Sequence, residues 1–133
     1  MIISNDFPPI WPQLQQTFPG LEKFKPIVTY GDTIYNPYNV HIDPALEFHE
    51  QTHAQRQGFT PQHWWANYLI SPEFRFQEEL IAYRAQYQYA KAHYNRKDVR
   101  TTLDHISTAL SSSLYGNLIT KKEAKEYIIN EQN

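Results

Sequence analysis

Residues 43–58, with the sequence DPALEFHEQTHAQRQG, form the segment on which the fold prediction rests. Asp43 is a favourable N-cap residue, and Gly58 is a typical stop signal after the last helical turn. Residues four apart in a helix lie on the same face, so His49 and His53 would project from it one above the other. The pattern therefore predicts a capped helix that presents a pair of imidazoles.

Helical signals continue after this segment. Thr60-Pro61 and Ser71-Pro72 each place a capping residue before a proline, which predicts a short helix at about 61–70 and a long one at about 72–95. In the long helix, apolar and aromatic residues recur at steps of three and four, which indicates one buried face. Two more helices are predicted at about 99–110 and 120–129.

The chain before the motif helix has a different character. Residues 27–35 are rich in β-branched and aromatic residues and predict a strand or a hairpin that turns near Gly31. Residues 1–26 contain five prolines, a density that predicts an irregular N-terminal arm. With 133 residues, we expect a single domain, residues 1–133, that is mainly α with a small β element (α+β).

The composition excludes several classes of protein and site. There are no cysteines, so disulfide frameworks and thiolate metal sites are excluded. The net charge of -2 gives no electrostatic reason to expect a nucleic acid or an anionic membrane as partner. The chain starts without the regions of a signal peptide and has no apolar run long enough for a transmembrane helix. We therefore expect a soluble, cytoplasmic protein.

The segment His49-Glu50-Gln51-Thr52-His53 is an HExxH motif. Its two histidines can bind one metal ion from the same helix face, and Glu50 lies close enough to reach a metal-bound water without binding the metal. A bound Zn²⁺ lowers the pKa of its water to about 7, and Glu50 would take the proton and later pass it to the leaving amine. The motif predicts peptide hydrolysis with one Zn²⁺ per chain.

A catalytic zinc normally has three protein ligands, so one more is needed. The long predicted helix offers Glu73, Glu78 and Glu79. A rotation of about 100° per residue places Glu79 on the shoulder of the buried face and Glu78 toward solvent. Glu73 lies in the first turn, where an acidic residue suits the helix dipole. We therefore predict His49, His53 and Glu79 as the metal ligands.

Three other side chains are candidates for supporting roles. Arg75 lies one turn before Glu79 and is expected either to orient the second oxygen of Glu79 or to form an ordinary surface pair. Tyr115 and His63 are candidates, by residue type alone, for the group that stabilises the developing oxyanion. The alternatives are a core aromatic for Tyr115, and a surface, capping or loop-ligand residue for His63.

These residues together resemble the gluzincin zinc metallopeptidases. HExxH followed on a later helix by Glu79-Leu80-Ile81-Ala82-Tyr83 is similar to the E-x-x-A pattern that carries the third zinc ligand in that family. The likeness covers residues 27–130 and is nearest to the minigluzincins and to phage-encoded metallopeptidases. It implies a minimal zincin-like domain, a peptide or protein substrate and a viral source. Tyr83 departs from the pattern, because larger relatives often have Asp there.

In that family the strand before the motif helix pairs with an extended peptide substrate. The resemblance implies this role for Thr29, Tyr30 and Gly31, within residues 28–35. Strand addition would fix the peptide by main-chain hydrogen bonds. The alternative is a strand that only covers the core.

Two functions besides peptide hydrolysis fit the same residues. The metal could staple a non-catalytic helical binding or virion-assembly module, since structural zinc supports other small domains. The motif could also be accidental in a metal-free interaction domain. Open coordination distinguishes peptide hydrolysis from the zinc-stapled module, because a catalytic zinc keeps a position for water and a structural zinc fills it with protein.

Overall fold

The computed structural model describes residues 1–112 and 115–130, and this part of the chain is mainly helical. The predicted mainly α fold with a small β element is therefore confirmed. Its strands and α-helices are β1 Ile2–Ser4, α1 Trp11–Thr17, β2 Val28–Tyr30, β3 Thr33–Tyr35, α2 Pro44–Gln57, α3 Pro61–Ile70, α4 Pro72–His93, α5 Arg96–Leu110 and α6 Lys121–Ile129. A 3-10 helix, Leu21–Phe24, follows α1. No helix in the described part combines the length and apolar character that a membrane span requires.

The small sheet is built on the predicted hairpin. β2 and β3 pair antiparallel, with Thr29 opposite Ile34. Gly31 turns the chain with a φ of 63°, a backbone region that glycine adopts without strain. β1 pairs in parallel with the other side of β3, so the strand order is β1-β3-β2. β2 is thus an edge strand, and it packs against α2 and α3.

The N-terminal segment is more regular than its prolines predict. β1, α1 and the 3-10 helix all lie within residues 1–26, which we expected to be irregular. Pro12 is in the first turn of α1, where the helix does not need its N–H, and Pro19 follows the end of that helix. Trp11 and Leu14 anchor α1 in an aromatic cluster with α3. The prolines delimit these short elements and do not prevent them.

α4 is the central helix and contacts α2, α3, α5 and α6. Its predicted buried face is confirmed at Leu80, Tyr83, Tyr87 and Ala90. One apolar cluster joins this face to α5 and α6, and a second joins α1, β2 and α3. His49 packs on Tyr83 of the first cluster, and His53 packs on Trp64 of the second. The motif histidines therefore lie where the two clusters meet.

The two ends of α2 lie where the sequence predicts them, and the hydroxyl of Tyr94 takes part in the capping of its start. Gly58 ends the helix in a positive-φ conformation. At the start, the hydroxyl of Tyr94 donates to Asp43 Oδ2 and accepts the N–H of Ala45 at 3.0 Å. Asp43 therefore caps α2 through this hydroxyl and not directly. Because Tyr94 directly follows α4, the contact ties the start of α2 to the end of α4.

Candidate metal centre

His49 and His53 lie one turn apart on α2 and face Glu79 on α4. Their Nε2 atoms are 3.1 Å apart. Glu79 Oε1 lies 3.2 Å from His49 Nε2 and 3.0 Å from His53 Nε2. All three side chains are buried. The structure thus brings the three predicted ligands into one group, hereafter the metal group, that can hold a metal ion.

The shape of this group fits a tetrahedral metal site. Bonds of about 2.0–2.1 Å to imidazole nitrogen and carboxylate oxygen place tetrahedral ligand atoms about 3.3 Å apart. The three separations here are 3.0, 3.1 and 3.2 Å, so small side-chain adjustments suffice. Imidazole and carboxylate ligands suit Zn²⁺ and related divalent ions.

When no metal is bound, the charges of the group favour a proton on His53. Burial lowers the pKa of the His53 imidazole, but the charge of Glu79 and the hydrogen bond to it outweigh burial and raise that pKa to about 9. Burial alone would raise the pKa of the Glu79 carboxyl, but the charge of His53 and the hydrogen bonds from both histidines hold it well below its usual range. At neutral pH the pair is therefore an imidazolium beside a carboxylate.

Metal uptake is expected to depend on pH for this reason. A metal ion needs a neutral imidazole, so below pH 9 it must displace the proton of His53. We expect the apparent zinc affinity to rise about tenfold per pH unit between pH 6.5 and 9 and then to level off. Zinc titrations against a chelator of known proton affinity would measure this slope. A pH-independent affinity would show that His53 is neutral in the metal-free protein.

The same proton links pH to the stability of the metal-free fold. Because the folded pKa of His53 lies above the ordinary value of 6.5, the ion pair stabilises the fold fully below pH 6.5. That contribution is lost as the pH rises through about 9.

Glu50 is buried beside the three ligands, and Thr29 fixes one of its oxygens. Thr29 Oγ1 donates to Glu50 Oε1 at 2.8 Å. The other carboxylate oxygen, Oε2, lies 3.8 Å from His49 Nε2. Glu50 therefore keeps one oxygen available next to the metal group while the hydroxyl of β2 holds the other.

Glu79 is oriented by Tyr68, and both interpretations of Arg75 are wrong. Tyr68 Oη donates to Glu79 Oε2 at 2.5 Å. Arg75 is buried and donates to the carbonyl oxygens of Tyr68 at 2.9 Å and Leu69 at 3.1 Å. Arg75 thus supports the end of α3 that carries Tyr68, and it is neither a direct partner of Glu79 nor a surface residue.

Glu78 does not point to solvent as predicted. Its carboxylate is buried and accepts a hydrogen bond from Trp64 Nε1 at 2.8 Å. Arg56 adds two hydrogen bonds, from Nε at 2.7 Å and from the guanidinium end at 2.9 Å. Glu78 is buried because α3 covers a second side of α4, which the helical angle of a single residue does not reveal. Glu78 holds Trp64 against the ring of His53, 5.4 Å between centroids.

The outer nitrogens of the two histidines lack the usual acceptor. Metal-binding histidines normally donate their second N–H to a carboxylate or carbonyl. Here Nδ1 of His49 and Nδ1 of His53 have no hydrogen-bond partner among the described residues. The ring of Tyr83 packs on that of His49 with 4.5 Å between centroids. Aromatic packing therefore sets the orientation of both imidazoles.

The predicted substrate strand is partly occupied by the protein's own side chains. Gln57 Nε2 donates to the carbonyl oxygen of Thr29 at 2.8 Å, and Trp65 Nε1 donates to the same oxygen at 3.2 Å. Gln57 Oε1 accepts the N–H of Gly31 at 2.7 Å. Tyr30 packs at the edge of the aromatic cluster around α3. Main-chain pairing with a peptide at the carbonyl of Thr29 and the N–H of Gly31 is therefore blocked.

A cavity of about 700 Å³ leads away from the metal group. Its wall includes the three ligands and Glu50. The rest of its lining includes apolar residues from the N-terminal segment and β2, among them Leu14, Phe18, Leu21 and Val28. Residues of α4 and α5 and Tyr115 also line it. The metal group thus opens into a space large enough for several residues of an extended chain.

The two oxyanion candidates differ in position. Tyr115 is buried in the core cluster around α4, which confirms the core interpretation, and it also lines the cavity, so its oxyanion role stays a prediction. Its hydroxyl lies 3.5 Å from that of Tyr83. His63 is exposed on α3 and does not line the cavity. The structure therefore places Tyr115 at the site and His63 outside it.

Several residues of the site were missed in the sequence. Gln57 carried a usable signal, because it continues the four-residue spacing of His49 and His53 on the same helix face. Tyr68 carried none, since its contact with Glu79 depends on how α3 packs against α4.

No protein-family model, curated protein or solved structure matches this chain. The functional interpretation therefore depends on the residues and geometry of the site.

Proposed function

We propose that this protein is a zinc-dependent metallopeptidase of the gluzincin type, with one Zn²⁺ per chain bound by His49, His53 and Glu79. The arrangement around Glu50 carries the proposal. Three protein ligands leave one position for water, which is typical of catalytic and not of structural zinc. Thr29 holds one oxygen of the Glu50 carboxylate at 2.8 Å, and the other oxygen lies 3.8 Å from His49 Nε2, next to the three ligands. This is the placement that a general base requires.

Each residue of the site has a distinct role in this proposal. When bound, zinc would lower the pKa of a coordinated water to about 7 and polarise the scissile carbonyl. Glu50 accepts a proton at Oε2 and passes it to the nitrogen of the leaving amine. Thr29 keeps the Glu50 carboxylate in one orientation through this transfer. Tyr68 holds Oε2 of Glu79, so that Oε1, which faces both histidines, would be the oxygen that holds the metal.

Tyr115 is the proposed donor to the developing oxyanion. Burial raises the pKa of the Tyr115 phenol and of the neighbouring Tyr83 phenol, so both stay protonated at neutral pH. A protonated hydroxyl in the cavity wall can donate a hydrogen bond to an oxygen that gains negative charge. Since such preorganised donors act in a site shielded from water, their contribution to the rate is large.

Metal removal tests the proposed function. Zinc-loaded and metal-depleted protein would be incubated with a mixture of peptides of defined sequence, and products identified by mass spectrometry. We expect cleavage by the zinc-loaded form alone, lost on chelation and restored by one equivalent of Zn²⁺. If zinc binds and raises the unfolding temperature but no peptide is cleaved and no hydroxamate binds, the zinc-stapled module is the better description.

A further inference from the structure

Gln86 lies on the metal-facing side of α4, two turns beyond Glu79. Its side chain lines the cavity, and only 5% of the residue is exposed. Seven residues of helix correspond to about 10 Å along the axis. An extended peptide advances about 3.3 Å per residue, so Gln86 is about three peptide residues from the metal ligands.

The side-chain amide of Gln86 makes no hydrogen bond within the described residues, and its Oε1 is fully buried. Buried polar groups nearly always have a partner, because leaving one unpaired destabilises the fold. The cavity lining near α5 includes Ile106 and Ala109 as well as the polar His105, Thr108 and Ser112, yet none of the described residues forms a hydrogen bond with Gln86. The fold therefore keeps an unpaired amide in the wall of the cavity that serves the metal group.

From this we infer that Gln86 binds the main chain of a peptide in the part of the cavity between α4 and α5. A primary amide offers one carbonyl acceptor and two N–H donors, and rotation about its terminal torsion can turn either toward the N–H or C=O of a peptide unit in the cavity. An internal peptide unit fits better than a terminal carboxylate, which would favour a cation in place of a neutral amide. The inference rests on the proposed function for the identity of the chain as a peptide substrate.

The binding test uses zinc-loaded protein and two tetra-alanine hydroxamates, one with the zinc-binding group at the carboxyl end and one with it at the amino end. Acetohydroxamate, which lacks the peptide, reports on the metal group alone. Gln86→Leu is compared with Gln88→Leu, a matched change two residues later and outside the cavity lining. We expect Gln86→Leu to weaken one of the two peptide hydroxamates about tenfold, without changing the affinity for acetohydroxamate.

Thermal unfolding supplies a second readout. Because the change removes an unpaired buried amide, Gln86→Leu is expected to unfold at the same temperature as the wild type or higher. A clear fall in unfolding temperature would mean that Gln86 supports the fold, and it would overturn the inference. Equal affinity of Gln86→Leu and wild type for both peptide hydroxamates would also overturn it. So would a wild type that binds neither peptide hydroxamate more tightly than acetohydroxamate.

These experiments distinguish failure of the inference about Gln86 from failure of the proposed function. If the wild type cleaves no peptide but Gln86→Leu still weakens a peptide hydroxamate selectively, the peptide site stands and the peptidase does not. If the wild type cleaves peptides and Gln86→Leu leaves KM and hydroxamate affinity unchanged, the inference about Gln86 alone is wrong.

Discussion

Replacing Glu50 with Gln is expected to reduce peptide hydrolysis by about 10²–10⁴-fold, the usual contribution of a general acid–base group. The variant should still bind one zinc per chain, because Glu50 is not among the three ligands. Glutamine keeps the shape of the side chain and can still accept the hydrogen bond from Thr29. The measurement pairs steady-state hydrolysis with elemental analysis of the same sample. Loss of metal together with activity would show that Glu50 is a structural residue.

Two controls sharpen this result. Glu47→Gln changes a carboxylate one turn earlier on α2 and is expected to be silent, since among the described residues its side chain hydrogen-bonds only to Gln51 on its own helix. Thr29→Val removes the hydroxyl that fixes Glu50 and is expected to reduce activity by about 10–100-fold, as loss of an orienting partner typically does. Thr29→Ser retains the hydroxyl and should recover most of the activity. Equal activity of the Val and Ser variants would contradict a positioning role for Thr29.

Replacing Glu79 with Gln is expected to weaken zinc binding by more than about 100-fold, since loss of an outer partner alone costs up to that factor. An amide is a poorer zinc ligand than a carboxylate, while the hydrogen bond from Tyr68 can be kept. Zinc affinity would be measured by competition with a chelator, and folding by circular dichroism. Glu73→Gln, an exposed change in the first turn of α4, is the matched control. Unchanged zinc affinity in Glu79→Gln would mean that the third ligand lies elsewhere.

Glu78 is not a suitable control for this experiment. Its position next to Glu79 in the sequence suggests a neutral comparison, but its carboxylate is buried and holds both Trp64 and Arg56. A change there would disturb the packing of Trp64 on His53, and zinc affinity and stability would fall together.

Local signals in the sequence predicted the helices that carry the site. The boundaries of α2 follow from Asp43 and Gly58, and Thr120 and Glu123 form a capping box at the start of α6, with Thr120 Oγ1 accepting the N–H of Glu123 at 3.1 Å. The spacing of the histidines and the helical angle of Glu79 needed only the geometry of a single helix. These features were predictable because each depends on residues near in sequence.

Contacts between elements explain what the sequence did not reveal. Arg75 and Glu78 were placed by treating α4 as a helix with one buried face, whereas the helix is covered by four others. The contact of Tyr68 with Glu79 depends on the packing of α3. The order within the N-terminal segment likewise arises from the burial of Trp11 against α3 and from the pairing of β1 with β3. None of these contacts leaves a periodic signal in the sequence.

The side chain of Gln57 also has a consequence for self-association. An exposed edge strand is a template on which a second copy of a protein can add a strand, and this is a common route to aggregation. Gln57 donates to the carbonyl oxygen of Thr29 in β2 and accepts the N–H of Gly31, which directly follows β2, as a residue of a neighbouring strand would. It therefore acts as a one-residue substitute for a further strand. The edge of β2 is in this way protected from pairing with an extended segment of a second copy of the chain.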